Sequence, residues 1–282
     1  MGMPSLAWDP DGPNLLLQGD NLEHLAAIPD ESIALAYLDP PFNTGRTQVR
    51  KTTSARSGAH GARSGFGGRL YDLTLEKLLS YDDSFADYWA FLAPRLEETW
   101  RVLSKQGSLY LHLDWHEVHY AKVALDMIFG RENFLNEIIW AYDYGGKTKK
   151  RWPTKHDTIL VYVKDPQNYV FNSEAIDREP YMAPGLVGAE KAARGKLPTD
   201  VWWHTIVSPT GQEKTGYATQ KPLGILRRII QASSNPGDWV LDPFSGSGTT
   251  AHAAAELGRR FVAIDALPDA HAIMTTRLAP YL

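Results

Sequence analysis

Apolar runs and helix-spaced apolar positions alternate along the chain, and this alternation predicts an α/β fold. Short apolar runs predict strands at 14–18, 33–38, 108–113, 138–140, 158–163, 239–241 and 261–264. Between several of them, apolar residues recur at helical spacing, most clearly over 85–103. Strands that alternate with helices favour a mostly parallel sheet with helices on both of its faces.

The strand at 33–38 runs directly into a turn that carries candidate chemistry, Asp39-Pro40-Pro41-Phe42. Prolines cannot continue a central strand, so the chain must turn away at this point. Asp39 and Phe42 are then left at the carboxyl end of the strand, where open α/β sheets bind their ligands. The carboxylate, the backbone carbonyls and the ring could hold a planar amino group on a heterocycle. Taken alone, a rigid turn with a solvated acid explains these residues about equally well.

A second strand-turn-helix pattern lies far downstream. The strand at 239–241 ends in Asp242, and a glycine-rich turn from Pro243 to Thr250 leads into a helix of alanines. No lysine precedes the paired threonines, so a triphosphate-binding loop is poorly supported. The next strand ends in Asp265, which is placed to hold ribose hydroxyls. This pattern favours a nucleoside-containing cofactor, although glycines used only for tight packing are the structural alternative.

The two motifs together resemble the amino-methylating DNA methyltransferases that use S-adenosyl-L-methionine. Leu38 to Gly45 is similar to their catalytic motif, and Thr219 to Pro222 followed by Leu241 to Thr250 is similar to their cofactor motifs. The catalytic motif comes first, which is the permuted order of the β class, and Phe42 stands where tyrosine is more usual. The resemblance covers nearly the whole chain. It implies a Rossmann-like methyltransferase fold with a seven-stranded, mostly parallel sheet and a circularly permuted motif order.

The resemblance also implies roles for individual residues. Asp39, Pro40, Pro41 and Phe42 are the expected catalytic residues. Asp265 is expected to hold the ribose, Asp20 the adenine end of the cofactor, and the glycine-rich turn its methionine part. The full set of expected cofactor-binding residues is Asp20, Thr219, Gln220, Lys221, Pro222, Asp242, Phe244, Ser245, Gly246, Ser247, Gly248, Thr249 and Asp265. Asp20 follows a strand and a glycine, so capping of the next helix is an equally strong role for it.

Composition and charge limit the kinds of site and the location expected for this chain. The chain of 282 residues has no cysteine, which excludes a disulfide framework and a cysteine-based zinc site. The spacing of His112, His116 and His119 matches no standard ligand set, so no metal is expected. No apolar run is long enough to span a membrane and no signal segment is present, so we expect a cytoplasmic protein. The net charge of −4 requires any nucleic-acid surface to be a local patch.

Two basic stretches are candidates for such a patch. Residues 46–69 contain no acid and show no periodicity, which predicts a basic loop next to the catalytic turn, with Arg46, Arg50 and Lys51 as DNA contacts. Lys147, Lys149, Lys150 and Arg151 are interleaved with aromatic residues and glycines, a pattern that suits nucleic-acid contact. They begin an irregular insertion, about 141–218, which we interpret as a target-recognition element within a single domain, 1–282. A solvated loop is the alternative for each stretch.

These expectations combine into one functional hypothesis. The resemblance implies transfer of a methyl group to an exocyclic base nitrogen in double-stranded DNA, after the base leaves the duplex. Adenine N6 is the preferred target, because aspartate opens the motif where the cytosine-N4 enzymes usually have serine. The alternatives are a cytosine-N4 methyltransferase and a non-catalytic DNA-binding protein that keeps the fold. A homodimer and a cognate restriction endonuclease are expectations from the family alone.

Overall fold

Helices cover both faces of an eight-stranded sheet in the computed structural model of the chain. The structure describes residues 8–43, 88–145, 147–208 and 211–282, together with the backbone of 46–57, 63–64 and 70–83. The strands are β1 (Leu15–Gln18), β2 (Ile33–Leu38), β3 (Arg46–Ser57), β4 (Arg63–Ser64), β5 (Leu70–Asp83), β6 (Leu103–Leu113), β7 (Phe134–Ala141), β8 (His156–Val163), β9 (Val201–Trp203), β10 (Trp239–Asp242) and β11 (Arg260–Asp265). The helices are α1 (Asn21–Ala26), α2 (Tyr88–Val102), α3 (Val118–Phe129), α4 (Ala189–Arg194), α5 (Leu223–Ser233), α6 (Thr249–Glu256) and α7 (Pro268–Leu278).

The order of the strands in the main sheet creates a crevice at its centre. The order is β1-β11-β10-β2-β6-β8-β7-β9. The first five strands are parallel, β8 runs antiparallel to both of its neighbours, and β9 is parallel to β7. From β10 the chain moves outward to β11, whereas from β2 it moves in the opposite direction to β6. The direction therefore reverses between β10 and β2, and open α/β sheets bind ligands at the carboxyl ends of the strands at such a point.

Alternating side chains of the strands supply the two cores. On β11, Val262 and Ile264 pack on the face that α1, α2 and α3 cover, whereas Phe261 and Ala263 pack on the face of α5, α6 and α7. Successive side chains of a strand point to opposite faces, so a strand buried on both sides reads as a continuous apolar run. This is why the parallel strands could be predicted from apolar runs alone.

Two sequence-based predictions of the fold are corrected. The main sheet has eight strands, not seven, because Val201–Trp203 adds a short edge strand beside β7. The prediction that 46–69 lacks regular structure is wrong for 46–57 and 63–64, whose backbone forms β3 and β4 of a separate three-stranded sheet with β5. In both cases the strand forms by pairing with another segment, which the periodicity of its own residues does not reveal.

Within the described part of the chain, no helix combines the length and apolar character needed to cross a membrane. In its described residues, the segment between β8 and α5 holds only short elements, namely α4, β9 and a 3-10 helix at Pro184–Leu186, as its fading periodicity predicts. It starts on the side of the sheet opposite the crevice, because β8 is antiparallel to β6.

Candidate active site

A cavity of about 570 Å³ lies at the carboxyl ends of β2, β10, β11 and β1. Its volume is within the range of small-molecule and cofactor sites. It brings the two sequence motifs together, because its lining includes Asp20, Asp39, Pro40, Pro41, Phe42, Thr219, Gln220, Lys221, Asp242, Phe244, Ser245, Gly246, Ser247, Thr249 and Asp265. Two predicted residues shape the elements around it without lining it: Pro222 precedes α5, and Gly248 precedes α6 in a left-handed conformation.

Asp39 presents one occupied and one free carboxylate oxygen. Its Oδ2 accepts a hydrogen bond from Nζ of Lys221, which also lies 5.2 Å from the centre of the Phe42 ring. Its Oδ1 is buried and has no hydrogen-bond partner; Nδ1 of His112 lies 3.9 Å away. Buried polar atoms are nearly always paired, so such an oxygen marks a place where a donor is expected. Asp39 is thus a preoriented acceptor beside an aromatic ring.

A buried hydrogen-bond network supports this side of the cavity. Nδ1 of His112 is 2.7 Å from the hydroxyl of Tyr37, and its Nε2 is 3.2 Å from Oδ2 of Asp157. Tyr142 donates to the other oxygen of Asp157 at 3.0 Å. Burial works against ionisation of Asp157, but the hydrogen bond and charge of His112 outweigh it and hold the pKa of Asp157 below its usual value. Burial raises the pKa of Tyr37 well above its usual value, so this hydroxyl keeps its proton.

The hydrogen bond between His112 and Asp157 has a defined direction. The carboxylate of Asp157 can only accept, so Nε2 of His112 carries the proton that bonds to it. The other ring nitrogen, Nδ1, shares a hydrogen bond with the hydroxyl of Tyr37. The network therefore locks the rings of His112 and Tyr37 in place directly behind Asp39.

The glycine-rich turn forms the opposite wall. Gly246 has φ of +52°, and a Cβ there would lie 2.8 Å from Cε1 of Tyr217, so a side chain would be both strained and obstructed. Ser245 ties the turn to β11, because its backbone N–H donates to the carbonyl of Ile264 and its hydroxyl accepts from the N–H of the same residue. The backbone of the turn is thereby exposed to the cavity and held rigid.

Two acids at the ends of β10 and β11 have perturbed ionisation. Burial raises the pKa of Asp242 to about 7, and hydrogen bonds from Thr250 and from the N–H of Phe244 offset this only in part. Burial also raises the pKa of Asp265, although its oxygens accept the backbone N–H groups of Gly246 and Leu267 at 2.8 and 2.9 Å. Each oxygen of Asp265 keeps a further lone pair, so the carboxylate can still accept hydroxyl hydrogens.

A family model described as DNA methylase matches residues 33–276. The chain belongs to the DNA methylase family. The predictions of an enzyme, of methyl transfer to DNA and of S-adenosylmethionine as its cofactor are confirmed by this membership and its relatives.

Curated relatives and solved structures agree with this assignment. The DNA methylase chain is 33% identical over 263 residues to the DNA adenine methyltransferase YhdJ of Escherichia coli strain K12, covering 89% of this chain and 77% of YhdJ. It is 32% identical to the type II methyltransferase M.HpaI of Haemophilus parainfluenzae, covering 89% and 69% of the two chains.

Two solved structures share the fold at lower identity. The M1.HpyAVI–SAM complex superposes with a TM-score of 0.60 at 20% identity, covering 94% of this chain and 98% of that one. The cytosine-N4-specific PvuII DNA methyltransferase gives 0.63 at 16% identity, covering 94% and 89%. The predicted Rossmann-like methyltransferase fold with a mostly parallel sheet is therefore confirmed.

The residues of the DNA methylase cavity fit the cofactor. Carboxylates suit a ligand with ribose hydroxyls and positive charge, and the rings of Phe91, Tyr217 and Phe244 offer surfaces for a heterocycle. Asp20 carries out the capping role, since its Oδ1 accepts the N–H of Leu22, and both its oxygens accept from Arg95. It also lines the cavity with its side chain half exposed, so capping leaves it able to contact a ligand.

Gln220 has a structural part in addition to lining the cavity. Its Oε1 accepts from the backbone N–H and the hydroxyl of Thr215, and its Nε2 donates to the carbonyl of Glu213 at 2.6 Å. The side chain thereby holds the loop that carries Tyr217 over the glycine-rich turn.

The predicted DNA contacts fall into two groups. Lys147, Lys149, Lys150 and Arg151 are all exposed in the loop that follows β7. β7 is parallel to β6, so this loop leaves the same edge of the sheet as the catalytic turn. Arg46, Arg50 and Lys51 belong to β3, and their side chains lie outside the described residues.

Sequence reasoning missed several residues that build the site. Arg95 reads as a solvated cation on a helix, yet it is buried and donates to Asn21 and Asp20. Its position one residue before Leu96, on the apolar side of α2, was an available signal. His112 was considered only as a metal ligand, although a lone polar residue inside the apolar run 108–113 indicates a buried, hydrogen-bonded side chain.

Proposed function

We propose that this DNA methylase transfers a methyl group from S-adenosylmethionine to the exocyclic N6 of adenine in double-stranded DNA. Two observations support adenine as the target. The 33%-identical relative YhdJ is named a DNA adenine methyltransferase. Asp39 opens the catalytic turn at the position where the resemblance leads us to expect serine in cytosine-N4 enzymes.

The observation that carries the proposal is the free Oδ1 of Asp39. It is a buried acceptor without a partner, on the wall of a cavity whose other wall fits the cofactor. An adenine amino group presents two N–H donors. Asp39 Oδ1 accepts one of them and the carbonyl of Pro40 accepts the other, while Phe42 stacks on the base. This arrangement orients the nitrogen and restricts its motion, which is a large source of rate enhancement.

The bound cofactor supplies an electrophilic methyl group on a positively charged sulfur. The nitrogen lone pair of an aromatic amine is delocalised into the ring, so the chain must make it available. Hydrogen bonds from the amino group to Asp39 and Pro40 favour a pyramidal nitrogen with a localised lone pair. The carboxylate of Asp39 also stabilises the positive charge that develops on nitrogen. Lys221 holds the second oxygen of Asp39 and keeps the first directed at the base.

The cofactor-binding residues are assigned in the same way. Asp265 accepts hydrogen bonds from the ribose hydroxyls, and Asp20 lies at the adenine end. The turn from Phe244 to Thr249 holds the methionine part, with the N–H groups and carbonyls that Gly246 leaves uncovered. Thr219, Gln220 and Lys221 complete the wall next to the catalytic turn.

The domain organisation, the location and the partners of the chain are proposed from the family resemblance. We propose a single domain with a target-recognition element at about 141–218, whose loop after β7 contacts DNA together with the basic strand β3. We further propose a cytoplasmic location, a homodimer and a cognate restriction endonuclease. Sedimentation of the purified chain tests the dimer, and digestion of methylated DNA by candidate endonucleases tests the last of these.

Methylation-sensitive sequencing of DNA from cells that express the chain tests the proposed function. We expect N6-methyladenine within a fixed sequence context, and none in cells that express Asp39→Ala. Methylation at cytosine N4 instead would replace adenine as the target while keeping the enzyme class. The absence of any modified base, with a folded protein that binds DNA, would favour the non-catalytic alternative.

A further inference from the structure

An exposed aromatic and basic cluster lies beside the catalytic turn. Its members, which we call the wedge cluster, are Trp115, Arg151 and Trp152. Trp152 is 95% exposed and Trp115 41% exposed, and the guanidinium carbon of Arg151 lies 5.5 Å from the centre of the Trp115 ring. Trp115 also stacks on His116, with ring centres 3.8 Å apart. Trp115 and Arg151 are therefore in contact at the surface, and the exposed Trp152 follows Arg151 in the chain.

The wedge cluster is physically connected to the catalytic turn. Asn43, the residue after Phe42, has φ of +53° and donates from its Nδ2 to Oε1 of Glu117 at 2.8 Å. Glu117 is two residues from Trp115, just before α3. The loop that carries Arg151 and Trp152 leaves the same edge of the sheet, because β7 and β6 run parallel. The wedge cluster therefore lies at the edge of the sheet that a duplex has to approach for its target base to reach Phe42.

The charge around Trp152 matches a polyanion. The stretch 144–154 contains Lys147, Lys149, Lys150 and Arg151 and no acid, in a chain whose net charge is −4. Cations with interleaved aromatic rings are the composition that tracks a phosphate backbone and stacks on bases. Covering a tryptophan that has almost all of its surface in water is favourable, and the basic residues around Trp152 attract a negatively charged partner to it.

We propose that Trp152 inserts into the DNA base stack at the step from which the target base is removed. This inference rests on the proposed function and adds the side chain that compensates for the lost stacking. Apolar side chains that enter a base step offset part of the cost of unstacking. Arg151 stacks on Trp115 and supports the neighbouring phosphate, which keeps Trp152 directed away from the protein.

Equilibrium binding of two duplexes by the full chain tests the insertion. Both carry the sequence that methylation sequencing identifies; in one the target adenine is paired, and in the other it is mismatched and already weakly stacked. We expect Trp152→Ala to weaken binding of the paired duplex by about 5- to 150-fold, the usual range for loss of one aromatic stack. The loss should be clearly smaller on the mismatched duplex, because less unstacking has to be compensated.

Control variants separate insertion from other effects. Trp152→Phe keeps a ring and should retain most of the affinity. Met127→Ala removes a side chain that is 83% exposed at the far end of α3, on the opposite edge of the sheet, and should leave binding unchanged. Cofactor affinity, measured by calorimetry, should be the same in all variants.

Two results would overturn the inference: wild-type affinity of Trp152→Ala for the paired duplex, or equal losses on the two duplexes. Equal losses on the two duplexes would indicate that Trp152 contacts the DNA backbone or other residues of the protein instead of the base stack. If the wild-type chain itself transfers no methyl group to duplex DNA, the proposed function fails first. If it does and Trp152→Ala behaves as the wild type, only the insertion fails.

Discussion

Replacement of Asp39 by alanine removes two interactions, one for each oxygen of its carboxylate. One is the buried acceptor Oδ1, which faces the proposed substrate. The other is the ion pair of Oδ2 with Lys221, whose side chains are 16% and 11% exposed respectively. Loss of one partner of a buried ion pair typically costs about 3–5 kcal/mol, because the other charge stays uncompensated. This pair is slightly exposed, so we expect a loss at or below the lower end of that range.

The same substitution should also slow the methyl-transfer step strongly. Removal of one preorganised group that stabilises transition-state charge typically lowers the rate by about 10²–10³. Asp39→Ala should therefore reduce single-turnover methylation by at least this factor. Asp39→Asn keeps the shape and an acceptor oxygen but removes the charge, so it should retain more stability than alanine while its rate still falls.

Single-turnover transfer of labelled methyl groups and urea unfolding measure the two effects separately. Lys221→Met and the double variant Asp39→Ala, Lys221→Met complete a double-mutant cycle on stability. If the alanine variant is destabilised because Lys221 is left unpaired, the double variant should be more stable than the sum of the single losses predicts. Contacting pairs usually differ from additivity by about 0.5–3 kcal/mol.

Near-normal single-turnover methylation by Asp39→Ala would refute the catalytic role and leave Asp39 as a turn residue. Strict additivity in the cycle would refute the ion pair as the source of the stability loss. Cofactor affinity acts as a control in Asp39→Ala and Asp39→Asn, because Lys221, the glycine-rich turn and Asp265 are unchanged in both.

Three further predictions address other parts of the molecule. Asp265→Ala should weaken cofactor binding in calorimetry by about 1.5–3 kcal/mol, the value of hydrogen bonds to a charged acceptor; unchanged affinity would remove Asp265 from the site. Neutralising the exposed cations Lys147, Lys149, Lys150 and Arg151 should flatten the salt dependence of DNA binding by up to about 0.9 in logarithmic slope per lost phosphate contact; an unchanged slope would indicate a solvated loop. Asp242 keeps its proton in the folded chain up to its pKa of about 7, whereas the unfolded chain releases it near pH 4. Between about pH 4 and pH 7, the contribution of Asp242 to the free energy of unfolding therefore falls by up to about 1.4 kcal/mol per pH unit. Asp242→Asn should gain stability relative to the wild type as the pH rises through this range. A stability difference that does not change with pH in urea unfolding would contradict this pKa.

The parts of the site that follow from local pattern could be predicted, and those that depend on distant partners could not. The turn after β2 and the glycine-rich turn after β10 are recognisable because prolines and glycines have local conformational consequences. The two turns meet in one cavity because β2 and β10 are neighbouring parallel strands. Lys221 was expected on the cofactor side, but its Nζ bonds to Asp39, far away in sequence. That contact depends on where the loop before α5 crosses the sheet edge.

The hydrogen-bond network behind Asp39 could not be predicted from local pattern either. Tyr37, His112 and Asp157 each stand in or at a strand, and nothing in their neighbours along the chain indicates that they touch. Strand pairing brings them together, since β6 lies between β2 and β8 in the sheet. The edge strand β9 and the pairing of β3 with β5 escaped prediction for the same physical reason, because a strand is stabilised by its neighbours more than by its own residues.

The pairing of strands from opposite ends of the sequence has a consequence for synthesis. Leu35 of β2 lies beside Val240 of β10, and Leu15 of β1 lies beside Val262 of β11. Asn14 also donates to the carbonyl of Tyr281 at 2.9 Å. Contacts of such long sequence separation form slowly, because closing the long intervening loop costs conformational entropy before the contact stabilises it. The central sheet therefore cannot form completely until residue 265 has left the ribosome. Until then β2 and its catalytic turn lack β10 and β11, the strands that carry most of the cofactor-binding residues.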